Sequence, residues 1–246
     1  IFIIRTHSIH KKREEEKNRK DKLADTDDIL DAKSIANSCK ENTTEILSIA
    51  SKAYNKSIEA VVEENRKKIK KTAAEIKKLN KRTKELKDSL HKVIARLQED
   101  SLESGHYYVQ VLDYLREMAH CLTYISEPIF LHIENNHPPV SSKQVEELLE
   151  VKEEITQLFH LTESMIQSND FEKLDDAFDQ QQLILDNIQK YRKTLIKALK
   201  KESLSTKSSM LFMEILNESK NLVLYVINVL KAQRDFVNPE NWENKE

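Results

Sequence analysis

Apolar residues recur every three or four positions along most of the chain, and this spacing predicts α-helices rather than strands. Polar or proline-containing stretches interrupt the pattern and divide it into six long helical segments. The strongest interruption is Asn-Asn-His-Pro-Pro at residues 135–139, and Ser141 with Ser142 follows it as a helix-capping pair. We therefore expect an all-α fold of six helices.

The order of the segments predicts how they are arranged. Short connections between long helices make neighbouring helices antiparallel, which is typical of a bundle. The third and sixth segments also align without gaps, with Leu115 on Leu216 and Tyr124 on Tyr225. Each is the third helix of a set, so we predict two three-helix repeats. Their bounds are residues 25–137 and 138–237, with an amino-terminal segment at residues 1–24 and a polar tail at residues 238–246.

A single glycine, Gly105, is present among 246 residues. Phosphate- and nucleotide-binding loops need glycine where backbone approaches a phosphate, and the G-x-S-x-G turn needs two. These sites are therefore excluded, and the serines and histidines form no other nucleophile motif. We predict that the chain is not an enzyme and has no tight phosphate site of its own. Gly105 itself is predicted to lie in the corner between the second and third helices.

The two cysteines, Cys39 and Cys121, are far apart in the sequence and fit no metal or redox spacing. Each lies on the apolar face of a predicted helix. We expect buried thiols in a reducing compartment.

Polar residues of the third and sixth segments include types that bind metal ions. Asp113, Glu117 and His120 have the i, i+4, i+7 spacing that places side chains on one helix face, and Glu214 and Glu218 repeat it. Carboxylates and imidazoles on facing helices bind divalent cations in bundles. Every bundle helix also has a solvated polar face, so both interpretations stay open. A divalent metal would be an optional cofactor, since nothing in the pattern requires one.

Positive charge is concentrated in the second segment, although the net charge is only −2. Between Arg66 and Lys92 there are twelve basic residues and three acidic ones. Such a helix can lie on anionic lipid, dock an acidic partner or simply face solvent. We do not expect nucleic acid as a partner, because the segment has no aromatic residue to stack on bases. The predicted membrane or partner surface consists of Lys11, Lys12, Arg13, Arg66, Lys67, Lys68, Lys70, Lys71, Lys77, Lys78, Lys81, Arg82 and Lys84.

The chain opens with four apolar residues, Ile-Phe-Ile-Ile, and a basic run follows them. This order is typical of the last turn of a transmembrane helix that meets the cytoplasm. The alternative is an ordinary frayed helix end. We predict that residues 1–24 are a juxtamembrane segment and that the chain lies on the cytoplasmic side of the inner (plasma) membrane.

The segment at residues 107–120, YYVQVLDYLREMAH, resembles the third helix of the PhoU-like fold. With Glu127-Pro128 and the Asn-Asn-His-Pro-Pro loop, it resembles the cytoplasmic carboxyl-terminal domain of bacterial phosphate transporters, such as a sodium/phosphate cotransporter or an inorganic phosphate permease. The resemblance covers residues 29–237. It implies a PhoU-like bundle that regulates phosphate uptake, with the transmembrane transport domain of the same chain as its partner.

PhoU proteins carry an acidic–x–x–x–Asp motif in the third helix of each repeat, and this motif can bind metal clusters. The matching positions here are Arg116 with His120 and Asn217 with Asn221. The acidic pairs are therefore missing, and the resemblance does not supply a metal site.

Three functions follow from these patterns. The leading hypothesis is a non-enzymatic, cytoplasmic regulatory domain of a membrane phosphate transporter. The alternatives are a soluble metal-binding helical bundle and a helical adaptor whose basic helix docks an acidic partner. Homodimer formation is compatible with all three.

Overall fold

The structure, a computed structural model, describes residues 32–97, 102–200 and 204–238. These residues form six α-helices, as the hydrophobic spacing predicts. The predicted juxtamembrane segment, residues 1–24, lies outside the described residues. The helices are α1 (Ala32–Val62), α2 (Arg66–Ile94), α3 (Leu102–Glu134), α4 (Ser142–Ser168), α5 (Leu174–Leu199) and α6 (Thr206–Val237).

Three helix ends turn with a residue other than glycine in the left-handed region. The φ angles are 49° at Glu64, 50° at Asn136 and 54° at Asn169. Asn65 then caps α2, because its side chain accepts a hydrogen bond from the backbone N–H of Lys68 at 3.0 Å. This pair of residues makes the α1–α2 turn in a stretch where the sequence offers neither glycine nor proline.

The start of α4 follows its prediction closely. The backbone N–H of Gln144 donates to Ser141 Oγ at 3.3 Å, and the backbone N–H of Ser141 donates to Gln144 Oε1 at 2.8 Å. This reciprocal pair is a capping box, which satisfies two donors that the first turn of a helix leaves unpaired. The helix therefore begins immediately after the proline-containing loop.

Gly105 does not form a corner, and the prediction that places it there is wrong. It lies in the first turns of α3, which begins at Leu102, and it is buried. A Cβ atom at this position would lie 2.8 Å from Cδ1 of Leu97. The glycine therefore allows the chain just after α2 to approach α3 closely.

Helices α3 and α6 form the central pair of the bundle and run antiparallel. The ring of Tyr107 stacks on Phe236 with centroids 6.2 Å apart, and Tyr114 lies 6.5 Å from Tyr225. Helices α1 and α2 pack on α3, while α4 and α5 pack on α6, and α1 also contacts α4. Each half of the chain thus contributes a three-helix set, and the outer helices α2 and α5 occupy equivalent positions.

The interior between the two sets is apolar, with a few paired polar groups. The hydroxyl of Tyr54 on α1 lies 2.9 Å from Oγ of Ser219 on α6, and both side chains are buried. Cys39 donates its thiol hydrogen to Oε1 of Gln233 at 3.4 Å. Cys39 and Cys121 are buried and form no disulfide, as expected. Within the described ranges, none of the helices is long and apolar enough to span a bilayer.

Candidate functional site

Two of the basic residues predicted on the α2 surface, Arg66 and Lys68, form ion pairs with acidic side chains outside α2. Arg66 Nε lies 2.5 Å from Oε2 of Glu134, near the end of α3. Lys68 Nζ lies 2.7 Å from Glu63 and 3.0 Å from Glu59, and these hydrogen bonds raise the pKa of Lys68. Both residues connect α2 to its neighbours, so a partner would have to compete with these ion pairs, and their place on the predicted surface stays a prediction.

Arg82 is the clearest departure from the predicted surface. Its side chain is only 11% exposed and forms an ion pair with Glu45 on α1, where its Nη2 donates to Oε2 at 2.6 Å. Nη2 also approaches Oδ1 of Asn42 at 3.3 Å. The helical position of Arg82 turns it toward α1, so it adds little to the exposed surface of α2, and its role at a membrane or partner surface stays a prediction.

Seven lysines of the predicted surface remain exposed on α2, and together we call them the lysine face. Lys81 pairs with Glu85 of the same helix at 3.5 Å, while the other six have no ion pair with any described residue. Lys11, Lys12 and Arg13, which the sequence predicts as part of the same surface, lie outside the described residues. The lysine face consists of Lys67, Lys70, Lys71, Lys77, Lys78, Lys81 and Lys84.

The metal-ligating residues predicted on α3 are divided between different partners. Asp113 Oδ1 lies 2.6 Å from the ammonium group of Lys87 on α2, which already balances its charge. His120 Nδ1 lies 3.8 Å from Glu117 Oε2. No group of three or more His, Cys, Asp or Glu side chains in the described part of the chain is placed to hold a metal ion. The predicted site has no geometric support and stays a prediction.

On α6, Glu218 accepts hydrogen bonds from the side-chain amides of Asn217 at 3.2 Å and Asn221 at 3.3 Å. It also faces Cys121 of α3. Burial raises the pKa of the Cys121 thiol to about 12, and the negative charges of Glu218 and Glu117 add to the shift. The structure thus brings two of the five predicted ligands to one buried thiol. The i, i+4 spacing of Glu117 and Cys121 is visible in the sequence, whereas the approach of Glu218 from α6 is not.

The remaining predicted ligand, Glu214, is exposed and borders a cavity of about 410 Å³ between α3, α5 and α6. Glu218 borders the same cavity, but so does Arg192 of α5. The guanidinium of Arg192 partly offsets the charge of the two carboxylates and so weakens the attraction of the cavity for a cation. A second cavity of about 530 Å³ lies between α2 and α3, and exposed Tyr124 borders both.

Comparisons with known proteins identify the fold. A family model described as the PhoU domain matches residues 43–129, from within α1 to α3. The phosphate transport system regulatory protein PhoU from Streptococcus pneumoniae matches with a TM-score of 0.69 and 11% identity, over 83% of this chain and 96% of that one. No curated protein matches the chain. The chain therefore carries a PhoU-like domain, and its fold is the predicted six-helix bundle of two three-helix repeats.

Proposed function

We propose that this chain is a non-enzymatic regulatory domain of phosphate transport that acts on the cytoplasmic side of a membrane phosphate transporter. The observation that carries the proposal is the PhoU-domain match in α1–α3 together with a PhoU-like fold over both three-helix sets. The structurally similar protein from Streptococcus pneumoniae is named as a regulatory protein of a phosphate transport system. The proposed partner is the transmembrane transport domain of the same chain.

Two features of the sequence support attachment to a transporter. The helix-three segment and its following loop resemble the cytoplasmic domain of phosphate transporters. The apolar opening of the chain, followed by basic residues, is also typical of a helix that leaves a membrane on the cytoplasmic side. Both features point to attachment. A regulator joined to its transporter in one chain acts on it at a high effective concentration, so attachment suits the proposed regulation.

The chemistry of the bundle limits how such a domain responds to phosphate. Phosphate-binding loops use consecutive backbone N–H groups around glycines, and the single glycine of this chain is buried within α3. Regulation would therefore operate through contacts between helix surfaces and the transporter. The two carboxylates beside the Arg192 cavity also disfavour an anion there.

An uptake experiment tests the regulatory part of the proposal. Codons 32–238 are deleted in frame from the native gene, and uptake of radiolabelled phosphate is measured in starved and phosphate-replete cells. We expect the difference in uptake between the two conditions to shrink while the abundance of the transporter stays the same. An unchanged response to phosphate would contradict regulation by this domain.

Cell fractionation tests the attachment separately. An antibody against the bundle should detect a polypeptide larger than 28.8 kDa that stays in the membrane after carbonate extraction. A chain of about this mass released by carbonate would contradict attachment to a transport domain. Regulation of a separate transporter would then be the only part of the proposal left.

A further inference from the structure

We infer that the lysine face of α2 docks on the surface of a bilayer that contains anionic lipids. The inference deepens the proposed function and rests on it for location, because a domain joined to a membrane transporter lies within reach of lipid headgroups. It adds a second contact with the membrane, made by the folded bundle itself. It also assigns one side of the bundle to that contact.

The geometry of the lysine face suits a flat surface. From Lys67 to Lys84 the helix rises about 25 Å, and at 100° per residue the seven lysines fall within an arc of about 140°. The opposite side of α2 packs on α1 and α3, which leaves this arc open to solvent. Ala74 lies in the middle of the arc and is also exposed. The face is therefore a convex, evenly charged strip.

Six of the seven charges of this strip have no ion-pair partner among the described residues. Glu75 is the only acidic residue in the sequence between Lys67 and Lys84, and it pairs with Lys56 of α1 at 2.8 Å. The first nearby acid on the same side is Glu85, which lies 3.5 Å from Lys81. Arg82 points inward instead. The free positive charge consequently comes from lysine alone.

The residue types on the face favour a lipid surface over a protein partner. Tight protein interfaces depend on a few buried anchors, mainly Trp, Tyr and Arg, and the lysine face has none of these. Arginine gives bidentate recognition of one group, whereas lysine acts as a point charge that suits many headgroup phosphates. A sheet of anionic headgroups complements a long strip of such charges. An acidic protein partner is the alternative that the experiment must separate.

The experiment measures how the 246-residue chain partitions onto sucrose-loaded vesicles. One set contains phosphatidylcholine alone, and the other contains about one third phosphatidylglycerol. The test variant is Lys71→Gln with Lys78→Gln, two exposed residues of the lysine face. The matched control is Lys193→Gln with Lys197→Gln, two exposed lysines on α5, so both variants have the same net charge.

The wild-type chain should bind the anionic vesicles and not the neutral ones, with binding that weakens as salt is added. Each lysine near such a surface contributes about a fivefold change in partition, so the test pair should bind about 25-fold more weakly. The control pair should stay within about twofold of wild type. Circular dichroism should be the same for all three, because the replaced side chains are exposed.

Equal binding by both pairs would overturn the inference and would attribute the attraction to net charge or to the basic amino-terminal run. Equal binding of wild type to neutral and anionic vesicles would overturn it as well. Displacement of wild type from vesicles by polyglutamate at equal charge concentration would favour an acidic partner and contradict a lipid preference. Failure here leaves the uptake and fractionation results untouched, so the two proposals fail separately.

Discussion

The buried hydroxyl pair between α1 and α6 allows a quantitative test of how the two three-helix sets are joined. Tyr54 is 1% exposed and Ser219 is 0% exposed, and their oxygens are 2.9 Å apart. Burial raises the pKa of Tyr54, so its hydroxyl stays protonated and can donate. Tyr54→Phe and Ser219→Ala each remove one partner and leave the other without a hydrogen bond in a place that water does not reach.

The expected magnitudes follow from the cost of an unpaired buried polar group, which is about 1–3 kcal/mol. Each single variant should lose about 2 kcal/mol of unfolding free energy. The double variant removes both hydroxyls and leaves no unpaired group, so it should lose about 2 kcal/mol less than the sum of the singles. This difference is the coupling energy between the two hydroxyl groups, one on α1 and the other on α6.

Urea unfolding followed by circular dichroism gives all four free energies. Tyr124→Phe is the matched control, since this tyrosine is 58% exposed and its hydroxyl should matter by less than about 0.5 kcal/mol. If the two single losses add in the double variant within about 0.5 kcal/mol, the hydroxyls do not interact. That result would refute the packing of α1 on α6 at this point.

Four further predictions concern Arg82, Cys121 and phosphate. Arg82→Gln should lower the unfolding free energy by about 1 kcal/mol because the Arg82 side of its ion pair is mostly buried, although Glu45 is half exposed. Lys78→Gln should change it by less than about 0.5 kcal/mol, and equal losses in urea unfolding would contradict this. Burial and nearby carboxylates raise the pKa of Cys121 to about 12, so the native thiol should resist iodoacetamide at pH 8, and labelling as fast as in urea would refute the shielding. Because the pKa of Cys121 is higher in the folded than in the unfolded state, the contribution of the protonated thiol to the free energy of unfolding is fully present below about pH 9 and declines toward pH 12. Cys121→Ala should reduce this loss of stability at alkaline pH. Isothermal calorimetry of the metal-free chain should detect no micromolar phosphate binding, and a measured micromolar affinity would overturn the argument from glycine content.

The features that sequence predicted well are those set by neighbours in the chain. Apolar spacing identifies the buried faces of all six helices because side chains three and four residues apart share a helix face. The capping box at Ser141 and Gln144 is likewise local, since both partners lie within one turn. The fold class follows from these local signals and from the short connections, because a short connection between two long helices makes them antiparallel.

The features that sequence reasoning missed depend on contacts between distant residues. Arg82 differs little from Lys81 in the sequence, yet one is buried against Glu45 and the other is exposed. Helical spacing gives the direction of a side chain relative to its own axis, but the partner comes from another helix. Gly105 was similarly misplaced because its small size is required by Leu97, across the connection from α2.

A difference between the two outer helices gives the bundle an orientation. Helices α2 and α5 occupy equivalent positions, but the exposed side of α5 begins with Asp175, Asp176 and Asp179 and only later carries Lys193 and Lys197. Its charges of both signs largely cancel, whereas the lysine face has one sign over its whole length. A bilayer surface would attract α2 and leave α5 unaffected. The two outer helices thus occupy equivalent positions but differ in surface charge. The proposed regulator would face its membrane with α2 and leave α5 free for other contacts.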